Sequence, residues 1–129
     1  MEAYMSDLVS LRVKHDIKEG RYWVSLTGKV YWKDKKGAMR LMKPFETKDG
    51  YVEYVLTKTD GRKQHIQAQI IVMSTFKNYP KDKRKIQVNH KDGNRKNNTP
   101  DNLEWMTPKQ NIKHSFDTLG KVVWNSNKK

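Results

Sequence analysis

A lone imidazole, His90, ends the short apolar run Ile86-Gln87-Val88, and amide and carboxylate side chains crowd the residues around it: Asn89, Asp92, Asn94, Asn97, Asn98 and Asn102. Downstream, Thr107-Pro108-Lys109-Gln110 announces a helix that would carry Asn111 in its first turn, with His114 on the same face. Neutral imidazole, with an ordinary pKa of about 6.5, can take a proton from water near neutral pH. Carboxamide and carboxylate oxygens suit a hard cation such as Mg²⁺, which stabilises charge developing on a phosphate and its leaving oxygen. Together these groups suit metal-assisted hydrolysis of a phosphodiester. Each has a plainer explanation when taken singly. A histidine after an apolar strand is more often structural than catalytic, and Asp92-Gly93-Asn94 and Asn97-Asn98 have the composition of tight turns. The acid-rich spacing and terminal glutamate of an EF-hand loop are missing, and four scattered histidines without cysteine show no zinc-ligand spacing.

The elements that must position these residues can be read on either side of them. Ile86-Gln87-Val88 and Leu103-Glu104-Trp105-Met106 are expected as two strands flanking an elaborate turn. Thr107 is the expected N-cap, with Pro108 at the first helical position and Gln110 completing a capping box. That helix would run through Ile112, Ser115 and Phe116 to a stop at Gly120, so this half reads β-β-α. Upstream, residues 6 to 19 are expected as a short helix capped by Ser6 or Asp7, with Leu8, Leu11 and Val13 on one side and Gly20 as its stop. Tyr22-Trp23-Val24-Ser25-Leu26 and Lys29-Val30-Tyr31-Trp32 flank Thr27-Gly28 as a hairpin, and Met39 to Phe45 holds one more strand ending near Pro44. Tyr51 to Leu56 and Arg62 to Ile66 form a second hairpin about Thr59-Asp60-Gly61. The apolar density of Ile70, Ile71, Val72, Met73 and Phe76, and the length of the run, predict a buried helix near 67–77. Trp23, Trp32, Tyr51, Tyr54 and Trp105 are expected in the core.

Length and charge bound the rest. The 129 residues make one domain by size, with 35% apolar and 10% aromatic residues for a modest core. A net charge of +13 favours a polyanion, because each neutralised phosphate releases condensed counterions. No apolar run approaches a membrane span, and Met1 to Gly20 mixes acids with bases in a way that fits no secretory signal. The absence of cysteine excludes disulfides and thiolate metal sites.

Val88-Asn89-His90-Lys91-Asp92-Gly93-Asn94, Asn97-Asn98, Asp101-Asn102-Leu103-Glu104-Trp105 and Thr107-Pro108-Lys109-Gln110-Asn111 resemble the ββα-metal motif of HNH endonucleases. The small phage and intron-encoded homing endonucleases are the nearest in kind. Tyr22-Trp23-Val24-Ser25, Gly28-Lys29-Val30, Lys43-Pro44 and Asp49-Gly50-Tyr51 are similar to the module often fused in front of that motif, so the resemblance covers roughly Tyr22 to Phe116. It implies an α+β fold and a metal-dependent DNA endonuclease, nicking or cutting both strands. By this resemblance His90 is the general base and Asn102 the middle residue of the motif, which pins the loop and keeps the base oriented. Asn111 is a metal ligand, and Asn89 stands where the family often has a ligating Asp. His114, three residues past Asn111 on the same helix face, is by its spacing a further ligand or phosphate contact, or equally a capping or packing residue. Asn89 can offer its carbonyl oxygen to a cation but lacks the charge of a carboxylate. In the preceding helix, Gln69-Ile70 stand where relatives often carry a His-Arg pair.

The implied cofactor is one divalent cation, Mg²⁺ or Mn²⁺. The implied partner is double-stranded DNA, met by a monomer or weak dimer without a membrane, in the cytoplasm of a bacterial host if the source is a phage. Lys83, Arg84, Lys85, Lys91, Arg95 and Lys96 around the motif, and Arg21, Lys29, Lys33 and Lys35 upstream, are the expected DNA contacts. Phosphate contacts of this kind position a duplex without reading its sequence. The expected organisation is an extension over 1–20, a hairpin-rich DNA-binding module over 21–85, the nuclease motif over 86–120 and a polar tail over 121–129. A second reading of the same residues is a DNA-binding protein that keeps the fold and has lost strong catalysis; a third is an RNA-binding module, which the charge permits and the motif does not favour.

Overall fold

Alternating side chains build the first sheet of the computed structural model, which describes residues 8–13, 16–18, 20–77, 81, 87–110 and 112. In β2 (Tyr22–Val24), Tyr22 and Val24 are buried and Trp23 faces the other way, the two-residue period of a strand with one wet face. β3 (Val30–Lys33) pairs with it antiparallel, Val30 against Val24 and Trp32 against Tyr22. β4 (Met39–Leu41) joins the far side of β3. The near edge is β1 (Val9–Ser10), which pairs with β2 through Val9 and Val24. The helix expected over 6–19 is therefore wrong at its centre. After β1 the Arg12 amide donates to Thr75 Oγ1, and Ile17 bridges to Lys58.

The single strand expected over Met39 to Phe45 is also two strands in two sheets. Phe45–Glu46 (β5) starts a second antiparallel sheet with β6 (Val52–Thr57) and β7 (Lys63–Gln67). Pro44, with no N–H to give a ladder, stands at that break. The Tyr22 hydroxyl accepts a hydrogen bond from the Thr57 amide and ties the two sheets together.

α1 (Ala68–Phe76) fills the space beside them. Ile71, Val72 and Met73 are buried, and so are Gln69, Ser74 and Thr75. A helix covered on nearly every side needs no polar face, so its signal lies in length and apolar content rather than periodicity. The third sheet is a two-stranded ribbon, β8 (Gln87–His90) with β9 (Leu103–Met106). Val88 and Leu103 send its inner face into the same core as Tyr22, Val24, Val30, Tyr54, Leu56, Ile66 and α1. Leu103 is fully buried directly opposite His90, and truncating such a side chain typically costs about 2–5 kcal/mol. The chain is thus α+β, with its short strands sharing one core.

Among the described residues, no helix is long and apolar enough to cross a membrane. Of the aromatic residues expected inside, Tyr54 is buried and Trp32 and Trp105 pack against the core. Trp23 and Tyr51 do not: Trp23 lies on the outer face under Lys33, whose ammonium sits 4.8 Å from a ring centroid, and Tyr51 lies by the ribbon.

Candidate active site

His90 closes β8, and the loop that follows folds back over its imidazole. Lys91 donates to the Asn102 carbonyl and Gly93 to the His90 carbonyl, so the chain turns sharply as it leaves the strand. Asp92 organises that turn. Its carboxylate accepts from the Asn94 amide, from Asn97 Nδ2 and from Asn102 Nδ2, all within 2.9 Å. The Asn97 bond, with the Asn94 and Asn102 bonds behind it, holds the carboxyl below the usual range. Asn102 completes the clip: its Oδ1 accepts from the Asp92 amide, and its Nδ2 also donates to the Asn97 carbonyl. One amide side chain thereby joins both ends of the loop.

His90 itself is buried, with 5% of the residue exposed. Its Nε2 lies 2.8 Å from Oδ1 of Asn98, also buried, while Asn98 Nδ2 faces the Arg95 carbonyl. Burial lowers the pKa of His90, opposed by the Asn98 bond and the nearby Asp92 charge and aided by Arg95. Tyr51 leans against the ring with centroids 6.1 Å apart, and the Arg95 guanidinium covers Tyr51 in turn.

The upstream sheets hold this loop from outside. Arg95 donates to the Asp49 carbonyl, and Lys96 pairs with Glu46 at 3.0 Å. Gly28, in the β2–β3 turn at φ +83°, comes so close to Asn98 that a Cβ there would lie 2.8 Å from the Asn98 carbonyl oxygen. Glycine is required twice over, by the backbone angle and by the neighbour.

Asn89 points to the other side of the ribbon from Val88, opposite Glu104 in register, and its Nδ2 donates to Glu104 Oε2 at 3.0 Å. Beyond β9 the expected capping box is present: Gln110 donates its amide to Thr107 Oγ1, and Gln110 Oε1 accepts from the Thr107 amide. Residues 108–110 and 112 are helical. Asn111 and His114 lie outside the described residues, as do Lys83, Arg84 and Lys85. The structure thus brings His90, Asn89 and Asn102 into one ribbon and loop.

Among the expected DNA contacts, Lys29, Lys33, Lys35 and Lys91 are exposed. Arg21 is half-tucked against the Tyr22 and Trp32 rings with its Nε buried, while Arg95 and Lys96 have the partners given above. Gln69 is buried and donates to Gln67 Oε1. Three neighbours of the site escaped sequence reasoning. Asn98 has the composition of a turn, Glu104 is expected only as part of a strand and Tyr51 as core; only the pairing register sets Glu104 against Asn89.

A histidine closing a two-stranded ribbon, with an asparagine clipping the loop and a capped helix start beyond, is similar to the arrangement of HNH endonucleases. Residues 79–113 match the family model described as HNH endonuclease. The chain is 37% identical over 103 residues to DNA endonuclease I-HmuI of Bacillus phage SP01, covering 78% of this chain and 56% of that protein. An uncharacterized HNH endonuclease of Acanthamoeba polyphaga mimivirus is 34% identical over 104 residues, covering 78% of this chain and 29% of its own. The chain therefore spans no more than about half the length of these relatives. Its fold matches the solved structure described as DNA binding and cleavage by the HNH homing endonuclease I-HmuI. The TM-score is 0.69 at 36% identity, over 86% of this chain and 62% of that one.

Proposed function

We propose that this chain is a metal-dependent DNA endonuclease resembling homing endonucleases, with His90 as the general base for phosphodiester hydrolysis. The observation that carries the reading is the bond between His90 Nε2 and Asn98 Oδ1. A neutral imidazole keeps its hydrogen on one nitrogen and a lone pair on the other. An acceptor at Nε2 places the hydrogen there and leaves Nδ1 to take the proton of the attacking water. Burial favours the neutral form at the pH where it is needed. Asn102, by clipping the loop that carries Asn98, keeps that geometry from relaxing.

Asn89 and Asn111, with His114 as a further candidate ligand, would hold one Mg²⁺ or Mn²⁺. The carboxamide oxygens of the two asparagines fit a hard cation. When bound, the ion stabilises charge on the scissile phosphate and its leaving 3′ oxygen. Duplex DNA is the partner, positioned through its phosphates by exposed lysines such as Lys29, Lys33, Lys35 and Lys91, and by Lys83, Arg84 and Lys85. Arg21, Arg95 and Lys96 would reach phosphate from inside contacts that already hold them. In this reading residues 21–85 grip the duplex and 86–120 cut it, with 1–20 and 121–129 as flanks. One motif acts on one strand, so a monomer nicks.

The test is supercoiled plasmid incubated with the full chain in Mg²⁺ or Mn²⁺. Metal-dependent nicking is expected, and His90→Ala should lose about 10²- to 10⁴-fold in rate while retaining salt-sensitive binding. Binding without nicking by the native chain in either metal would sink the reading. It would favour a DNA-binding protein without strong catalysis, for which the uncharged Asn89 is the specific support.

A further inference from the structure

The cation site proposed above has a feature that composition alone hides: its neutral ligand stands on a carboxylate. Asn89 and Glu104 are direct cross-strand partners in the β8–β9 register, so their side chains leave the ribbon on one face. Asn89 is buried, and its Nδ2 donates to Glu104 Oε2 at 3.0 Å. A carboxylate accepts and cannot donate, so it fixes which end of the Asn89 amide faces it. Turning the amide over would set Oδ1 against another oxygen and strand the NH₂ group. Glu104 therefore holds Oδ1, the one atom of Asn89 able to ligate a cation, on the side away from itself. Among the described residues Glu104 is bonded to this amide and to no lysine or arginine, so within them its charge is not cancelled by a basic partner.

We propose that Glu104 is a positioning residue of the metal site, which orients Asn89 for the cation and supplies from behind it the negative charge that a carboxamide lacks. The inference rests on the reading of Asn89 as a ligand. A carboxylate hydrogen-bonded to a ligand polarises it and raises its donor strength, and losing such a partner commonly costs about 10–100-fold in metal affinity. Charge and ligand are thus divided between two strands, where a single aspartate at position 89 would combine them. The division makes a prediction that a plain structural hydrogen bond does not. Moving the charge to position 89 and a neutral donor to position 104 should leave the site equivalent. Adding a charge at 89 alone should crowd two carboxylates together and lower stability when metal is absent.

The experiment measures Mn²⁺ binding to the full chain without DNA, by electron paramagnetic resonance over micromolar to millimolar ion. Thermal unfolding of each variant in chelator is measured alongside. Glu104→Gln keeps the shape and an acceptor oxygen but removes the charge. It should weaken Mn²⁺ binding about ten- to a hundredfold with little change in unfolding midpoint. The swap Asn89→Asp with Glu104→Gln should bind Mn²⁺ within a few-fold of the native chain. Asn89→Asp alone should unfold at lower temperature in chelator and regain that loss when Mn²⁺ is added. If Glu104→Gln binds Mn²⁺ like the native chain while Asn89→Ala does not, Glu104 has no part in the site and the inference falls alone. If neither variant changes Mn²⁺ binding, or the native chain binds none, Asn89 is no ligand and both readings fall.

Discussion

The strands β1 to β7 with α1 close on apolar side chains: Val24, Val30, Leu56, Ile71 and Val72 are fully buried and lie in one cluster. The loop after β8 closes on amides instead, with His90 and Asn98 buried against each other and Asp92 and Asn102 sharing hydrogen bonds across its base. The two regions fail in different ways. An apolar core loses stability in proportion to what is removed and re-forms around volume-conserving changes. A polar cluster depends on every member, because removing one partner leaves another buried group unsatisfied, at about 1–3 kcal/mol. The molecule has a tolerant region that supplies free energy and an intolerant one that supplies geometry.

The sharpest way to break that contrast is at Asn98. Asn98→Ala should slow nicking about tenfold to a hundredfold, a large part of what a general base contributes, because the imidazole loses the acceptor that sets its tautomer. Asn98→Asp keeps an acceptor and adds a charge that favours imidazolium, so its rate should survive at higher pH while its acid limb moves upward. The sign for the native chain follows from the lowered pKa of His90. The base form persists at the ordinary pKa of about 6.5, and activity should fall only below it. Stability linked to His90 is likewise full above about 6.5 and lost as pH falls towards the lower folded value. Rate profiles of the three proteins in Mn²⁺ check this; identical acid limbs for native and Asn98→Asp would remove Asn98 from the chemistry.

A smaller effect should come from the place where the two regions meet. Gly28→Ala puts a methyl group 2.8 Å from the Asn98 carbonyl oxygen on a backbone at φ +83°. Strain at such an angle is of order 1–3 kcal/mol before any clash. Denaturant unfolding should show a loss of about that size, and nicking should fall further than stability explains because the Asn98 backbone must shift. If Gly28→Ala lowers stability and leaves the rate per folded molecule unchanged, the hairpin supports the fold and not the site.

The same division governs what the sequence made legible. Alternation in Tyr22–Val24 and Val52–Thr57 gives strands because one face is dry. α1 could be found by its length and apolar content, since burial all round erases its period. β1 is not legible because two exposed edge residues leave no pattern, and Leu8 and Leu11 offer helical spacing by accident. In the ribbon, His90 and the capping box could be read from residue type and spacing. The separation of Asn98, buried on the imidazole, from Asn97, turned to Asp92, could not. Adjacent asparagines carry the same chemistry, and only the folded loop decides which one meets the imidazole. Glu104 was hidden for a related reason: its role depends on the residue across the ribbon, which no local pattern records.

The smallest expected effect separates contact from consequence. Lys96 and Glu46 form an ion pair between the motif loop and β5, and both side chains are more than half exposed. Pairs of this kind are worth about 0–1 kcal/mol, because water and salt screen them and two long side chains must be held still. Lys96→Ala should therefore move the unfolding free energy by less than Gly28→Ala does. If Lys96 also meets a DNA phosphate, the variant should weaken binding equally across sequences and lower the salt slope by about one. Both are read from unfolding curves and from binding measured over a range of salt. A loss of stability as large as that of Gly28→Ala would mean that charge, rather than the close seat of Asn98 on Gly28, ties the loop to the sheets. The contrast between an apolar region and an amide-built one would then have to give way to a third, ionic, element at their boundary.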